Sequence, residues 1–224
     1  MRQFLARLLG AGGEAQPIRA TRWVVLDCET SGLDPARDRL LALGAVAVRG
    51  GRIELGESFS AVLRQESPSD AGNILVHGIG GEAQRNGRPA DEALREFAGF
   101  LGEGLPVAFH ASFDDAVLRR AMAGVRVLIP AHAPALSAPR RWLDLAQLAP
   151  ALYPGPDRAR RSLDDWLGEF RIACPERHDA LGDAVATAEL FLVLLAQAER
   201  QRIHTVGELR RLARSGRWLA SGSA

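Results

Sequence analysis

Two hydrophobic periods divide this chain. Trp23 to Leu26 is an unbroken apolar run, the mark of a buried strand, and Asp27-Cys28-Glu29 and the turn residues Thr30-Ser31-Gly32 follow it. Arg39 to Val48 is apolar and partly β-branched, Gly50-Gly51 comes next, and Ile53 to Leu63 resumes with alternation. Two strands joined across Gly-Gly read as a hairpin, so the first three strands form an antiparallel meander. Ser67 to Gly81, with Pro68 and four glycines, reads as loop. The period then changes. Ala90, Leu94, Phe97 and Leu101 recur at helical spacing behind Pro89, with Asp91 and Glu92 in the first turn and Gly102 at the end. Leu105 to Phe109 is a short strand, and a helix begins near Ser112. Val125 to Arg140 is a proline-rich excursion, and Trp142 to Leu148 starts as strand and turns helical. Ser162 caps a short helix, with Asp165 placed to complete a capping box. A long helix runs from about Asp179 to Gln201.

The order of these elements predicts one α/β domain. The 224 residues, 47% hydrophobic and with a net charge of +1, suffice for one core and argue against a general nucleic-acid coat protein. Residues 1–20 read as a short amphipathic helix and a Gly-rich linker, 21–201 as the domain, and 202–224 as a basic helical tail, a solvated terminal helix in preference to a contact for phosphates or a partner. Neither the N-terminus nor the apolar run Leu190 to Ala196 is long enough to span a bilayer, so no membrane association is expected. Cys28 and Cys174 suggest neither a disulfide framework nor a zinc site, which fits a reduced, cytoplasmic setting. Every basic residue is arginine.

The candidate chemistry starts at Asp27 and Glu29. On a strand, residues two apart share a face, so both carboxyls are aimed at one spot, and Cys28 points away from it into the core. Two adjacent carboxylates repel unless a cation lies between them, and Mg²⁺ or Mn²⁺ suits carboxylate oxygen. The plain alternative is a solvated strand end. Asp114, His178 and Asp183 have plain readings too: a capping acid, a structural histidine, a second capping acid.

Together these residues stand in a known order. Asp27-Cys28-Glu29-Thr30-Ser31-Gly32-Leu33, then Ser112-Phe113-Asp114, then Arg177-His178-Asp179-Ala180-Leu181-Gly182-Asp183 resemble the motifs of the DnaQ-like (DEDDh) 3′→5′ exonucleases, the family of the proofreading epsilon subunit of DNA polymerase III. The resemblance covers about Arg22 to Ala198. It implies a ribonuclease H-like fold, with a five-stranded mixed sheet of three antiparallel and then two parallel strands and helices on both faces. It implies that Asp27, Glu29, Asp114 and Asp183 hold two divalent ions, Mg²⁺ or Mn²⁺, and that His178 is the general base. The expected reaction releases nucleoside 5′-monophosphates from a single-stranded 3′ end of DNA. Thr30, Leu33, His77, His110 and Phe113 are the expected substrate contacts, with Leu33 a wedge against the last base and His77 either a contact or a loop brace. Phe109-His110 departs from the family's usual His-Asn, which bears on substrate preference.

Two alternatives stand beside this reading: an exoribonuclease of the same type, and a non-catalytic module that binds nucleic acid or a polymerase. A metal-free structural protein would instead pair its acids with arginines. The terminal segments are candidates for docking a polymerase or a second copy.

Overall fold

The computed structural model describes residues 13–125, 133, 136, 141–175 and 177–221, with side chains up to residue 215. A five-stranded sheet forms the middle layer, in the order β3-β2-β1-β4-β5. Its strands are β1 (Trp23–Thr30), β2 (Leu40–Arg49), β3 (Arg52–Val62), β4 (Leu105–Ala108) and β5 (Leu143–Asp144). The first three pair antiparallel, and β4 and β5 run parallel to β1. This is the mixed sheet that the resemblance implies. Gly50 and Gly51 turn the β2–β3 hairpin at φ of +57° and +77°, a conformation open to glycine at little cost.

The helices are α1 (Ala71–His77), α2 (Gly81–Asn86), α3 (Ala90–Leu101), α4 (Ala111–Gly124), α5 (Leu145–Leu152), α6 (Leu163–Phe170), α7 (Ala180–Arg200) and α8 (Val206–Ser221). They cover both faces of the sheet over two cores. Trp23 and Val25 of β1 face one core with Phe191 and Leu194 of α7. Val24, Leu26 and Cys28 face the other, with Leu94 and Phe97 of α3 and Leu118 of α4. The capping box at α6 is complete: Ser162 Oγ accepts from the Asp165 amide, and Asp165 accepts from the Ser162 amide. Such a cap stabilises a helix by about 1 kcal/mol. Among the described residues α7 alone is long and apolar enough to cross a membrane, but more than half of its apolar stretch is buried in this fold.

The structure corrects two expectations. Residues 67–81 are not loop alone but hold α1 and the start of α2. The Asp70 carboxylate caps α1 by accepting from the Asn73 amide at 2.9 Å, and Gly78 ends it in the left-handed region. Local capping here overrides the Pro/Gly signal that marks loops. The described terminal residues are also part of the domain rather than a linker and a solvated tail. Ile18 donates to His204 O at 2.9 Å, Val206 to Gln16 O at 2.9 Å and Gly207 to Glu14 O at 2.9 Å. Val206, Leu209 and Ala213 of α8 are buried in the same core as α7. The apolar stripe of α8 outweighs its arginines because those charges reach outward or pair, as Arg210 does with Glu14 at 3.3 Å. The expected helix within residues 1–12 and most of the 125–140 excursion lie outside the described residues.

Candidate active site and metal centre

Asp27 and Glu29 continue the face of β1 that carries Trp23 and Val25, and so point toward α7. Asp27 pairs across the sheet with Gly44. A Cβ on Gly44 would lie 2.2 Å from the Ala180 backbone. The missing side chain lets the first turn of α7 rest on the strand. That turn carries Asp183, and His178 stands just before it. One ligand atom each from Glu29, His178 and Asp183 lies within 4.8 Å of the others.

Asp114 comes from the opposite face. It is buried in the first turn of α4, where the Cys28 thiol donates to its carboxylate. Cys28 thus faces the core as expected and also holds an acid in place. Asp27 links the two halves, because its charge is felt by Asp114 and by Glu29, and Asp183 in turn acts on Asp27.

Burial and mutual repulsion show in the proton affinities. Burial first, then the Asp183 charge, pushes Asp27 up to about 7. Burial, then Asp27 and Asp183, pushes Glu29 up to about 8. Asp114 is held well above the usual carboxylate range by burial and by Asp27. Glu29 and Asp183 beside His178, with the charge of Asp27 acting on both neighbouring acids Glu29 and Asp114, offer the carboxylate oxygen that hard divalent cations take. The residues present therefore fit a metal centre.

Asp183 is held from three sides. Its Oδ2 accepts from the His178 amide at 3.0 Å, its Oδ1 accepts from the Cys174 thiol at 3.3 Å, and the Arg177 guanidinium pairs with Oδ1. Arg177 also donates from Nε to Asp164 Oδ1 at 2.6 Å. Pairing of acids with arginine is what a metal-free structural protein would need, so the balance of charge matters here. One guanidinium, shared with Asp164, stands against Asp27, Glu29 and Asp183. It lowers the proton affinity of Asp27 and Glu29, yet both stay raised. The cluster is not neutralised by its own chain.

Sequence reasoning missed Cys174, Arg177 and Asp179, the N-cap of α7 whose charge adds to the repulsion on Asp27 and Glu29. Adjacency to His178 was the available signal for Arg177 and Asp179. Cys174 had none, because its approach to Asp183 is made by the fold.

The expected substrate contacts divide. Leu33 is 91% exposed beyond the end of β1. Asp38 holds its loop, accepting from Ser31 Oγ at 3.0 Å and from the Asp34 amide at 2.8 Å. The Thr30 hydroxyl is committed, donating to Gly32 O at 2.6 Å. His178 is exposed and has left-handed backbone, φ +66°. His110 is exposed at the N-cap of α4, edge-on to Phe109, and Phe113 is partly buried on the α4 side. His77 is buried: its Nδ1 accepts from the Ile79 amide at 2.9 Å, and its Nε2 lies 3.2 Å from Ser69 Oγ. Both ring nitrogens are engaged, as a brace of the loop requires. None of these residues lines the cavity of about 760 Å³ beyond α4, bounded by Ser112, Asp115, Trp142, Arg210 and Arg214.

Residues 24–191 match the model of the exonuclease family RNase_T. A DNA polymerase III subunit epsilon-like protein of Rhodobacter capsulatus is 35% identical over 210 residues, which cover 89% of this chain and 28% of that protein. The PolC-type DNA polymerase III of Thermotoga maritima is 30% identical over 190 residues, 85% of this chain and 13% of that protein. The chain thus spans only a minor part of the curated relatives it matches. Among solved structures, E. coli exonuclease I in complex with a dT13 oligonucleotide has a TM-score of 0.67 at 18% identity, covering 81% of this chain and 42% of that one. The nuclease domain of 3′hExo, a DEDDh family member bound to rAMP, has a TM-score of 0.66 at 14% identity, covering 81% and 94%. These likenesses establish the fold.

Proposed function

The chain belongs to the exonuclease family, metal-dependent hydrolases of phosphodiesters, and on that premise we propose that it removes nucleoside 5′-monophosphates stepwise from the 3′ end of single-stranded DNA. Asp27, Glu29, Asp114 and Asp183 would hold two Mg²⁺ or Mn²⁺ ions. Such ions supply charge to the attacking and leaving oxygens of an in-line displacement. An imidazole nitrogen of His178 takes a proton from the attacking water. The water oxygen bonds to the terminal phosphorus, the bond to the 3′ oxygen breaks, and solvent returns a proton to that oxygen. Leu33, free of the core, packs against the terminal base, a contact indifferent to sequence.

The observation that carries this reading is the convergence of Glu29, His178 and Asp183 on one point, with Asp27 beside them and Asp114 beyond it. DNA is favoured over RNA because the relatives are named as DNA polymerase III proteins. The same relatives support a proofreading or repair setting beside a polymerase.

The test is digestion of labelled single-stranded DNA and RNA of matched sequence with Mn²⁺. Shortening from the 3′ end that stops on chelation, and is faster on DNA, is expected. Preferential digestion of RNA would replace the substrate half of this proposal with the exoribonuclease reading. Binding with no cleavage of either strand would replace it with the non-catalytic one.

A further inference from the structure

The Arg177 guanidinium reaches between two acids of different kinds. Asp183 lies inside the cluster with its side chain 5% exposed, and Asp164 lies on α6 at the rim, 65% exposed. All of the Asp183 oxygens are engaged: Oδ2 by the His178 amide, Oδ1 by the Cys174 thiol and by Arg177. A divalent cation taken up at Asp183 must share that carboxylate with these partners. The amide and the thiol donate without a full charge and can stay. The guanidinium carries a positive charge against an Asp183 oxygen that a cation bound there would need, and like charges brought to one carboxylate repel. Arg177 has somewhere else to go, because its Nε is already on Asp164 at 2.6 Å.

We propose that Arg177 is a displaceable counter-cation: it holds Asp183 while the cluster is metal-free and withdraws onto Asp164 when a metal ion loads, so that this pair of residues sets the metal affinity of the site. The proposal rests on the two-metal reading of the cluster. It gives Arg177 and Asp164 roles that the reaction itself does not require. An arginine suits this task because it remains charged at any working pH, so that metal uptake is opposed by a constant charge.

The two residues then act with opposite sign. Removing Arg177 removes the competitor, and removing the Asp164 charge removes the place to which the competitor retreats. The experiment is calorimetric titration of the nucleic-acid-free full chain with Mn²⁺ for the wild type, Arg177→Gln, Asp164→Asn and Asp183→Asn. Arg177→Gln is expected to bind Mn²⁺ about tenfold more tightly, the scale of one charge pair, and to gain more thermal stability from Mn²⁺ than the wild type does. Asp164→Asn, a rim substitution, is expected to bind several-fold more weakly. Should Arg177→Gln fail to fold, the sign of the Asp164→Asn change decides. Unchanged or weaker binding by Arg177→Gln, or unchanged or tighter binding by Asp164→Asn, overturns the proposal. Asp183→Asn separates the two levels: if the wild type binds and Asp183→Asn does not, the metal reading stands whatever Arg177 does. No binding by the wild type sinks both.

Discussion

Asp114 and Asp115 are neighbours at the start of α4, and both are more than nine-tenths buried, yet they meet opposite surroundings. Asp115 faces the wall of the cavity beyond α4, and Arg119 pairs with it one turn on at 2.7 Å. Burial raises its proton affinity and the guanidinium pulls it back. Asp114 faces the centre of the molecule, and among the described residues it forms no salt bridge. It meets a thiol and a second carboxyl instead. A buried charge is costly unless it is paired. On the outer side of α4 the chain supplies the partner, and on the inner side it withholds one. The contrast separates a buried charge neutralised by its own chain from one left for another partner, which under the proposed function is a bound cation.

This contrast can be broken at its inner side first. Asp183→Asn or Asp27→Asn is expected to lower exonuclease turnover by roughly a thousandfold or more. Asp27→Asn should also raise the melting temperature of the metal-free protein, because it removes a buried, repelled carboxylate, whereas Asp183→Asn deprives Arg177 of its partner and should not; a fall in stability of Asp27→Asn under chelation would show that this acid is scaffold. His178→Ala should cost about 10²–10⁴ in turnover and leave the melting temperature of the metal-free protein near that of the wild type. The comparison sharpens with pH. Asp27 and Glu29 hold protons in the folded chain up to about 7 and about 8, where the unfolded chain, at 3.8 and 4.5, has released them. Folding therefore takes up protons in this window. Under chelation, the contribution of these two groups to stability should be fully present below their unfolded values and be lost as pH rises through about 8, seen as a melting temperature that falls by several degrees between neutral pH and about pH 8 or above. Mn²⁺ should flatten that slope, and a flat profile without metal would contradict the assigned shifts.

On the outer side the effects should be smaller. Asp115→Asn, which leaves Arg119 short of its partner, should destabilise the fold by about 1–3 kcal/mol with the rate per folded molecule unchanged, as read by denaturant unfolding and digestion assays on the same samples. The smallest effect is expected at Leu33. Leu33→Ser should leave stability unaltered, because the side chain is 91% exposed, and raise the KM for an oligonucleotide by a few-fold.

Much of this arrangement is legible in the sequence because it follows from local rules. The period of β1 puts Asp27 and Glu29 on one face and Cys28 on the other, and Gly50-Gly51 and the Ser162 capping box behave as their chemistry dictates. The resemblance supplied the pairing of Asp114 and Asp183 with them. What stayed illegible depends on distant contacts or on caps that compete with loop signals. The helix α1 hangs on one Asp70 hydrogen bond within a Pro/Gly-rich stretch. The stripe of α8 could not be told from that of a free amphipathic helix until Glu14 and Gln16 were seen against it. His77 shows its role only through its bonds to Ser69 and Ile79.

The glycine opposite Asp27 bears on this site in a further way. Gly44 has no functional group, yet a methyl placed there would act as a wedge between helix and sheet, prising them apart by roughly one to two ångströms to restore ordinary van der Waals spacing, since the Ala180 backbone lies 2.2 Å from its position. Asp183 would travel with the helix while Asp27 and Glu29 stayed on their strand. Each group would keep its identity and its neighbours in sequence, and the jaws would no longer close on a common point. The chemistry of this enzyme is thus gated by a position that carries no chemistry, where the tolerance for change is smaller than one carbon atom.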